Sequence, residues 1–320
     1  MLGWNLVMAK GSRNSGALSG LRNLLADLKR HDTLKPSRRF RERIEVLDRL
    51  DAYDLDSLRS AADLGFEEAT LFYRAIKLRA KLDALNAQLY ENIRDAIRLG
   101  DGRKVLLRHA TTSGHGPRLR EGTLDGDAYD HLDDLVSEVL LFASPEPVTV
   151  ELSPDMVAYQ PTPARHIFEL IRHTKFTERD VFIDLGSGLG HVALLVAICT
   201  ESRAVGVELE PAYVECARRT AEDLNLTNAT FLAQDARDAD FSDGTTFYLY
   251  TPFRGAILRD VLGRLKTQAA KREIRVCTFG PCTPIVAAES WITFDPAVSG
   301  HVSVFRSNKP TTSRLSSVAP

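Results

Sequence analysis

The sequence predicts an α/β fold: a mostly parallel sheet covered by helices on both faces, closed at one edge by an antiparallel pair and preceded by a helical N-terminal region. Three observations predict it. From Val181 onward, short apolar runs alternate with amphipathic stretches, the rhythm of strand and helix in a doubly covered sheet. The first run, Val181 to Leu185, passes through the alternate glycines Gly186, Gly188 and Gly190 into an apolar helix that starts at His191. Upstream, apolar residues recur three and four positions apart in Leu18, Leu21, Leu24, Leu25 and Leu28, and again in Leu71, Ile76, Leu78, Leu82 and Leu85.

Residues 18 to 99 read as helices, interrupted by a basic run that holds Arg38, Arg39, Arg41 and Arg43; Glu42 and Glu45 close by make it a solvated helix face. Gly100 to Gly126, rich in Gly, Thr, Ser and Arg, reads as loop or weak hairpin. A short helix is expected over Ala128 to Phe142, ending before Pro145 and Pro147. Thr162 and Pro163 suit the N-cap and first position of a helix Ala164 to His173. Strands are expected at Val181–Leu185, Ala204–Glu208, Ala229–Leu232, Thr246–Tyr250 and Ile274–Phe279, and the antiparallel pair at Trp291–Phe294 and His301–Phe305. After Arg306 the composition turns to Ser, Thr, Lys and Pro and reads as a disordered tail. The expected division is a helical region over 1–150, a ligand-binding α/β domain over 151–306 and a tail over 307–320.

Composition narrows the function. The 320 residues are 44% hydrophobic and 26% charged, ordinary for a globular protein. No run approaches the roughly 20 apolar residues of a spanning helix, and the apolar start of Met1 to Lys10 is too short for a secretory signal, so a cytoplasmic protein without a membrane partner is expected. A net charge of −2 gives no strong nucleic-acid signal. Cys199, Cys216, Cys277 and Cys282 have neither zinc-ribbon nor disulfide spacing; they read as buried thiols, and no metal site is expected.

The chemistry concentrates around the glycine loop. In a strand–turn–helix setting, alternate glycines allow dihedrals and a backbone approach to ligand that side chains would block. The next strand ends at Glu208, where a carboxylate can accept hydrogen bonds from both hydroxyls of an adenosyl ribose. The third is followed by Asp235 and Ala236, with Asp235 placed to read an adenine amino group. Asp184, in the last turn of the first strand, either meets a cationic cofactor or pins the loop; Ser187 lies inside the loop, and His191 reads as a cap or packing residue.

The series Asp184-Leu-Gly-Ser-Gly-Leu-Gly190, Glu208 and Asp235 resembles the cofactor half of the class I S-adenosylmethionine-dependent methyltransferases, over roughly residues 155 to 305. The resemblance implies a Rossmann-like seven-stranded sheet and S-adenosyl-L-methionine as cofactor. It also implies a glycine loop beside the methionine end. Tyr159-Gln-Pro-Thr-Pro163 ahead of an Asp-Leu-Gly-Ser-Gly motif is similar to the non-SET histone-lysine methyltransferases, which makes Tyr159 and Thr162 candidate cofactor contacts beside their plain reading as a helix start. Tyr-Thr-Pro-Phe and Gly-Pro-Cys-Thr resemble more closely a bacterial branch of class I.

Ligands of an open parallel sheet sit outside the carboxyl ends of its strands, which places the acceptor near Tyr250 to Phe253, with Thr251, Pro252 and Phe253 the candidate residues. Amino-group methyltransferases often carry Asp or Asn, Pro, Pro and an aromatic residue here; Thr251 departs from that pattern, and a strand end punctuated by Pro252 is the competing reading. Gly280 to Thr283 reads as a tight turn beside the same crevice. The expected function is methyl transfer to an unidentified acceptor, protein lysine or another nitrogen among them. A nicotinamide or flavin oxidoreductase and a non-catalytic cofactor-binding protein are the alternatives; the first needs G-x-G-x-x-G, which this loop lacks.

Overall fold

Val181–Leu185 (β1) is apolar at four of five positions and every residue in it is buried, as a central strand of a parallel sheet requires. In the computed structural model it sits in the middle of a seven-stranded sheet ordered β3-β2-β1-β4-β5-β7-β6. The other strands are Arg203–Glu208 (β2), Ala229–Ala233 (β3), Thr246–Leu249 (β4), Arg275–Thr278 (β5), Ile292–Phe294 (β6) and Ser303–Ser307 (β7). The structure describes residues 18–26, 34–53, 65–112, 129–145, 149–151, 153–297 and 300–308. Strands β1 to β5 run parallel; β7 is antiparallel to β5 and β6 to β7, so the expected antiparallel pair closes the edge. Register sets Asp184 between Gly206 and Tyr248 and pairs Glu208 with Ala233, which gathers these carboxyl-terminal strand ends at one side.

Helix His191–Cys199 is buried at every position from Val192 to Cys199, because its sequence is apolar on all faces and it lies under a second layer of helix. Helix Gly255–Ala269 instead buries one stripe, Ile257, Leu258, Val261, Leu262 and Leu265, against a core that holds Phe247, Leu249 and Val276. Beneath β1, the Arg275 guanidinium donates to Asp180 Oδ1 at 2.5 Å and to the carbonyl of Thr174 at 2.6 Å, so one side chain ties β5 to both ends of the β1 approach.

The chain divides into two units, residues 1–92 and 93–320. In the first, Leu21, Leu24, Leu50, Leu71, Phe72 and Leu82 form a helical core. Arg43 departs from the solvated face expected of the basic run: it is buried, and its guanidinium donates to Asn86 Oδ1 and to the carbonyls of Leu34 and Pro36. A buried charge is tolerable when its donors are satisfied, which charge spacing alone does not reveal.

In the second unit, Gly102–Thr112 is a helix and not the loop expected across Gly100 to Gly126; residues 113–126 lie outside the described part. Terminal Gly and Thr disguised a short buried stripe of Gly102, Leu106 and His109. Gly102 has a packing reason, since a Cβ there would come within 2.7 Å of Ile97 and Ile198. The expected helix near Ala128 spans His131–Leu140 behind the N-cap Asp130, which forms a capping box with Asp133. Residues 1–10 and the tail from 309 also lie outside the described part. Among the described residues no helix is long and apolar enough to cross a membrane.

Candidate functional site

At the carboxyl side of β1 the chain enters Gly186, Gly188 and Gly190, all with positive φ (79°, 53° and 85°). The amides of Gly186 and Ser187 donate to the carbonyl of Val207, which anchors the loop to the end of β2. Glu208 holds it from the other side. Its Oε2 accepts the Gly188 N–H at 2.8 Å, while Oε1 accepts the N–H groups of Leu209 and Glu210 at 2.8 and 2.9 Å. A carboxylate offers about four acceptor positions, so one stays open on Oε2.

A cavity of about 470 Å³ opens beside the loop. Of the residues expected from sequence, Tyr159, Gly186, Glu208, Asp235, Ala236, Thr251, Pro252 and Phe253 line it. Thr162, Asp184, Ser187, Gly188 and Gly190 do not; all five are buried. Tyr250, at the near end of the expected acceptor region, lines the cavity too; Val157, Gln160, Tyr213, Gln234 and Ile257 also face it and were given no role from sequence, since none belongs to a spacing that distinguishes it from a packing residue.

Tyr159 covers the loop. Its hydroxyl lies 3.0 Å from His191 Nδ1, and its ring packs at 5.2 Å on that of Tyr213. Burial holds the phenol well above its usual range and pushes the His191 imidazole down to about 4, so His191 is neutral at physiological pH. His191 caps nothing: Gly190 is the N-cap of its helix, and the ring packs on Phe142 and Tyr159.

Thr162 is also not the N-cap expected of it. The N-cap is Pro163, the N–H of Ala164 is taken by Asp133 Oδ1 at 2.7 Å, and the Thr162 hydroxyl pairs with the buried Tyr248 hydroxyl at 3.1 Å. A carboxylate distant in sequence displaced the local hydroxyl because it accepts a stronger, charge-assisted bond. Asp184 is buried, and burial first, the nearby Glu208 charge second, raise its carboxyl to about 8.

Asp235 lines the cavity already paired: Arg237 grips both its oxygens, at 2.7 Å in the shortest contact. That hydrogen bonding, outweighing burial, keeps its carboxyl below the ordinary value. The acceptor region is engaged as well. Thr251 Oγ1 accepts the Cys282 N–H at 3.0 Å, the Pro252 carbonyl accepts the Val157 N–H at 3.2 Å, and Phe253 is buried in the core. Thr251 carries a φ of 42°, a genuine outlier for a β-branched residue. Gly280–Cys282 forms a tight 3₁₀ turn, and all four cysteines are buried and free.

Residues 176–271 match a family described as a methyltransferase domain. A segment of 102 residues is 32% identical to a histone-lysine N-methyltransferase, H3 lysine-79 specific, from Cryptococcus neoformans; the alignment covers 31% of this chain and 16% of that protein. Among solved structures, an RNA methyltransferase from Salinibacter ruber in complex with S-adenosyl-L-homocysteine is 23% identical, with 48% of this chain and 95% of that one covered at a TM-score of 0.39. A precorrin-6y C5,15-methyltransferase from Geobacter metallireducens is 14% identical, covering 48% and 93% at a TM-score of 0.37. The match to a methyltransferase domain over residues 176–271 spans the glycine loop and the strands β1 to β4 that line up beside it.

Proposed function

We propose that this chain is an S-adenosyl-L-methionine-dependent methyltransferase acting on a nitrogen acceptor, with protein lysine the class to test first. The observation that carries the reading is the meeting of Gly186, Glu208 and Asp235 on one cavity under the Tyr159 ring. A volume of about 470 Å³ is in the range of small-molecule sites, roughly 300 to 1,000 Å³. The open position on Glu208 Oε2 suits a ribose hydroxyl, and Asp235, held by Arg237, lines the same cavity.

When bound, the cofactor supplies a methyl group on a sulfonium. The chain's own contribution is placement: the loop pinned between Val207 and Glu208 fixes one partner, and positioning is a large share of the acceleration of such a displacement. A lysine acceptor, with an ordinary pKa of about 10.4, must react unprotonated, and the wall of Val157, Pro252, Phe253 and Ile257 disfavours its charged form by withholding water. The 102-residue similarity to a histone-lysine methyltransferase supports placing lysine first.

Calorimetry with S-adenosylmethionine and S-adenosylhomocysteine, on wild type and Glu208→Ala, tests the cofactor. Micromolar binding that weakens at least tenfold in the variant is expected, with thermal unfolding run alongside to show that the variant folds. Absence of binding to the wild type overturns the reading. Transfer of labelled methyl to lysine-containing protein fractions then tests the acceptor.

A further inference from the structure

Outside the lining of this cavity, two histidines and a glutamate converge: donor atoms of His166, Glu169 and His301 all lie within 4.8 Å of one another. His166 and Glu169 stand three apart on helix Ala164–Thr174 and so share a face, while His301 comes from the segment leading into β7. We propose that these three side chains form a binding site for a single divalent transition-metal ion of the zinc type, linking that helix to the β6–β7 edge.

The geometry favours a metal over a simple ion pair. His166 Nδ1 and Glu169 Oε2 are 3.4 Å apart, longer than a good N–H···O hydrogen bond of about 2.7 to 3.2 Å. Two ligands held at about 2.1 Å by a tetrahedral ion are separated by about 3.4 Å, so this pair already spans one edge of the polyhedron. Glu169 Oε1 accepts the Val302 N–H at 3.3 Å, which orients the carboxylate and leaves Oε2 as the inward donor. His166 is buried, and its ring packs at 4.5 Å on Phe279, so its orientation is held by packing. Only the exposed His301, whose ring centroid is 4.8 Å from that of His166, has to rotate to complete the set.

Two imidazole nitrogens and one carboxylate oxygen form a borderline donor set suited to zinc and cobalt, and a poor one for magnesium or calcium, which take oxygen ligands. The exposed side of His301 leaves the fourth position to water. Glu169 also touches the chain closely at Gly300, where a Cβ would fall 1.7 Å from Oε1; the loop therefore delivers His301 beside the carboxylate only because residue 300 has no side chain.

The test is titration of chelator-treated full-length protein with zinc chloride by calorimetry, and with cobalt chloride by visible absorption. The expected result is one ion per chain with a dissociation constant in the micromolar range or below, a tetrahedral cobalt spectrum and a raised melting temperature. Both H301A and E169Q should weaken zinc binding at least tenfold. His301 is on the surface, and the side-chain amide in E169Q retains an acceptor oxygen for the Val302 N–H, so both metal-free variants should melt near the wild type. Should either variant unfold, the wild-type stoichiometry and cobalt spectrum decide the matter alone. Millimolar or non-stoichiometric binding, or binding unchanged in a folded H301A, overturns the proposal and leaves an adventitious ion only.

Discussion

The ring of Tyr159 lies against the α-carbon of Gly188, so close that a methyl group on that glycine would sit 2.1 Å from Cε2 and 2.3 Å from Cδ2. The roof of the cavity and the middle of the loop are therefore one packed unit. No Cβ fits between them.

Gly188→Ala should destabilise the protein by roughly 1 to 3 kcal/mol, since it adds the cost of a left-handed residue to that of displacing Tyr159. Gly263→Ala is the control: that glycine is inside helix Gly255–Ala269, a Cβ there meets nothing within 4 Å, and the substitution should stabilise by roughly 0.5 to 1 kcal/mol. Urea denaturation of both variants checks the contrast. Equal stability of Gly188→Ala and wild type would contradict the Tyr159 packing.

Asp184 predicts a pH dependence with a definite sign. Its folded value of about 8 lies above the ordinary carboxyl range, so its contribution to stability is fully present below about pH 4 and is lost as the pH rises through about 8. His191 acts oppositely: with a folded value of about 4, its contribution is present above about pH 6.5 and is lost as the pH falls toward 4. The two offset each other between these limits, leaving Asp184 the changing member of the pair from pH 6.5 to 8. Over that window wild-type stability should fall by on the order of 2 kcal/mol, and Asp184→Asn should flatten the slope. A wild type with level stability from pH 6.5 to 8 would show that Asp184 is already ionised.

Thr251→Val keeps the β-branched shape and the strained φ while removing the oxygen that accepts the Cys282 N–H. Stability should drop by about 1 to 3 kcal/mol, the cost of leaving a partly buried donor without its partner. Hydrogen exchange at the Cys282 amide should speed up more than exchange in β1. Unchanged exchange at Cys282 would mean that Thr251 does not hold the turn after β5.

Much of the fold was legible because strands and helices advertise their burial periodically. The run Val181–Leu185 has no polar face to present to water, and the expected and observed strand are the same. At Ile274–Phe279 the expected strand overran the observed Arg275–Thr278 by one residue at each end, since apolar flanks do not show where pairing stops. Gly102–Thr112 was missed because its stripe is short and one of its packing residues is a glycine, whose burial reflects close approach and not hydrophobicity.

By itself the sequence determined the α/β order, the glycine loop and the carboxylate that ends β2, because each depends on neighbours in the chain: a buried strand, a turn that needs positive φ, a residue at a strand end. Tertiary structure alone decided the partners. It gave the Ala164 N–H to Asp133 in place of Thr162, turned the Thr251 hydroxyl toward Cys282 and brought His301 to His166. The reason is physical. Periodicity encodes which face is buried, whereas a hydrogen bond or a ligand set depends on angstrom-scale distances between groups that are remote in sequence until the sheet brings them together.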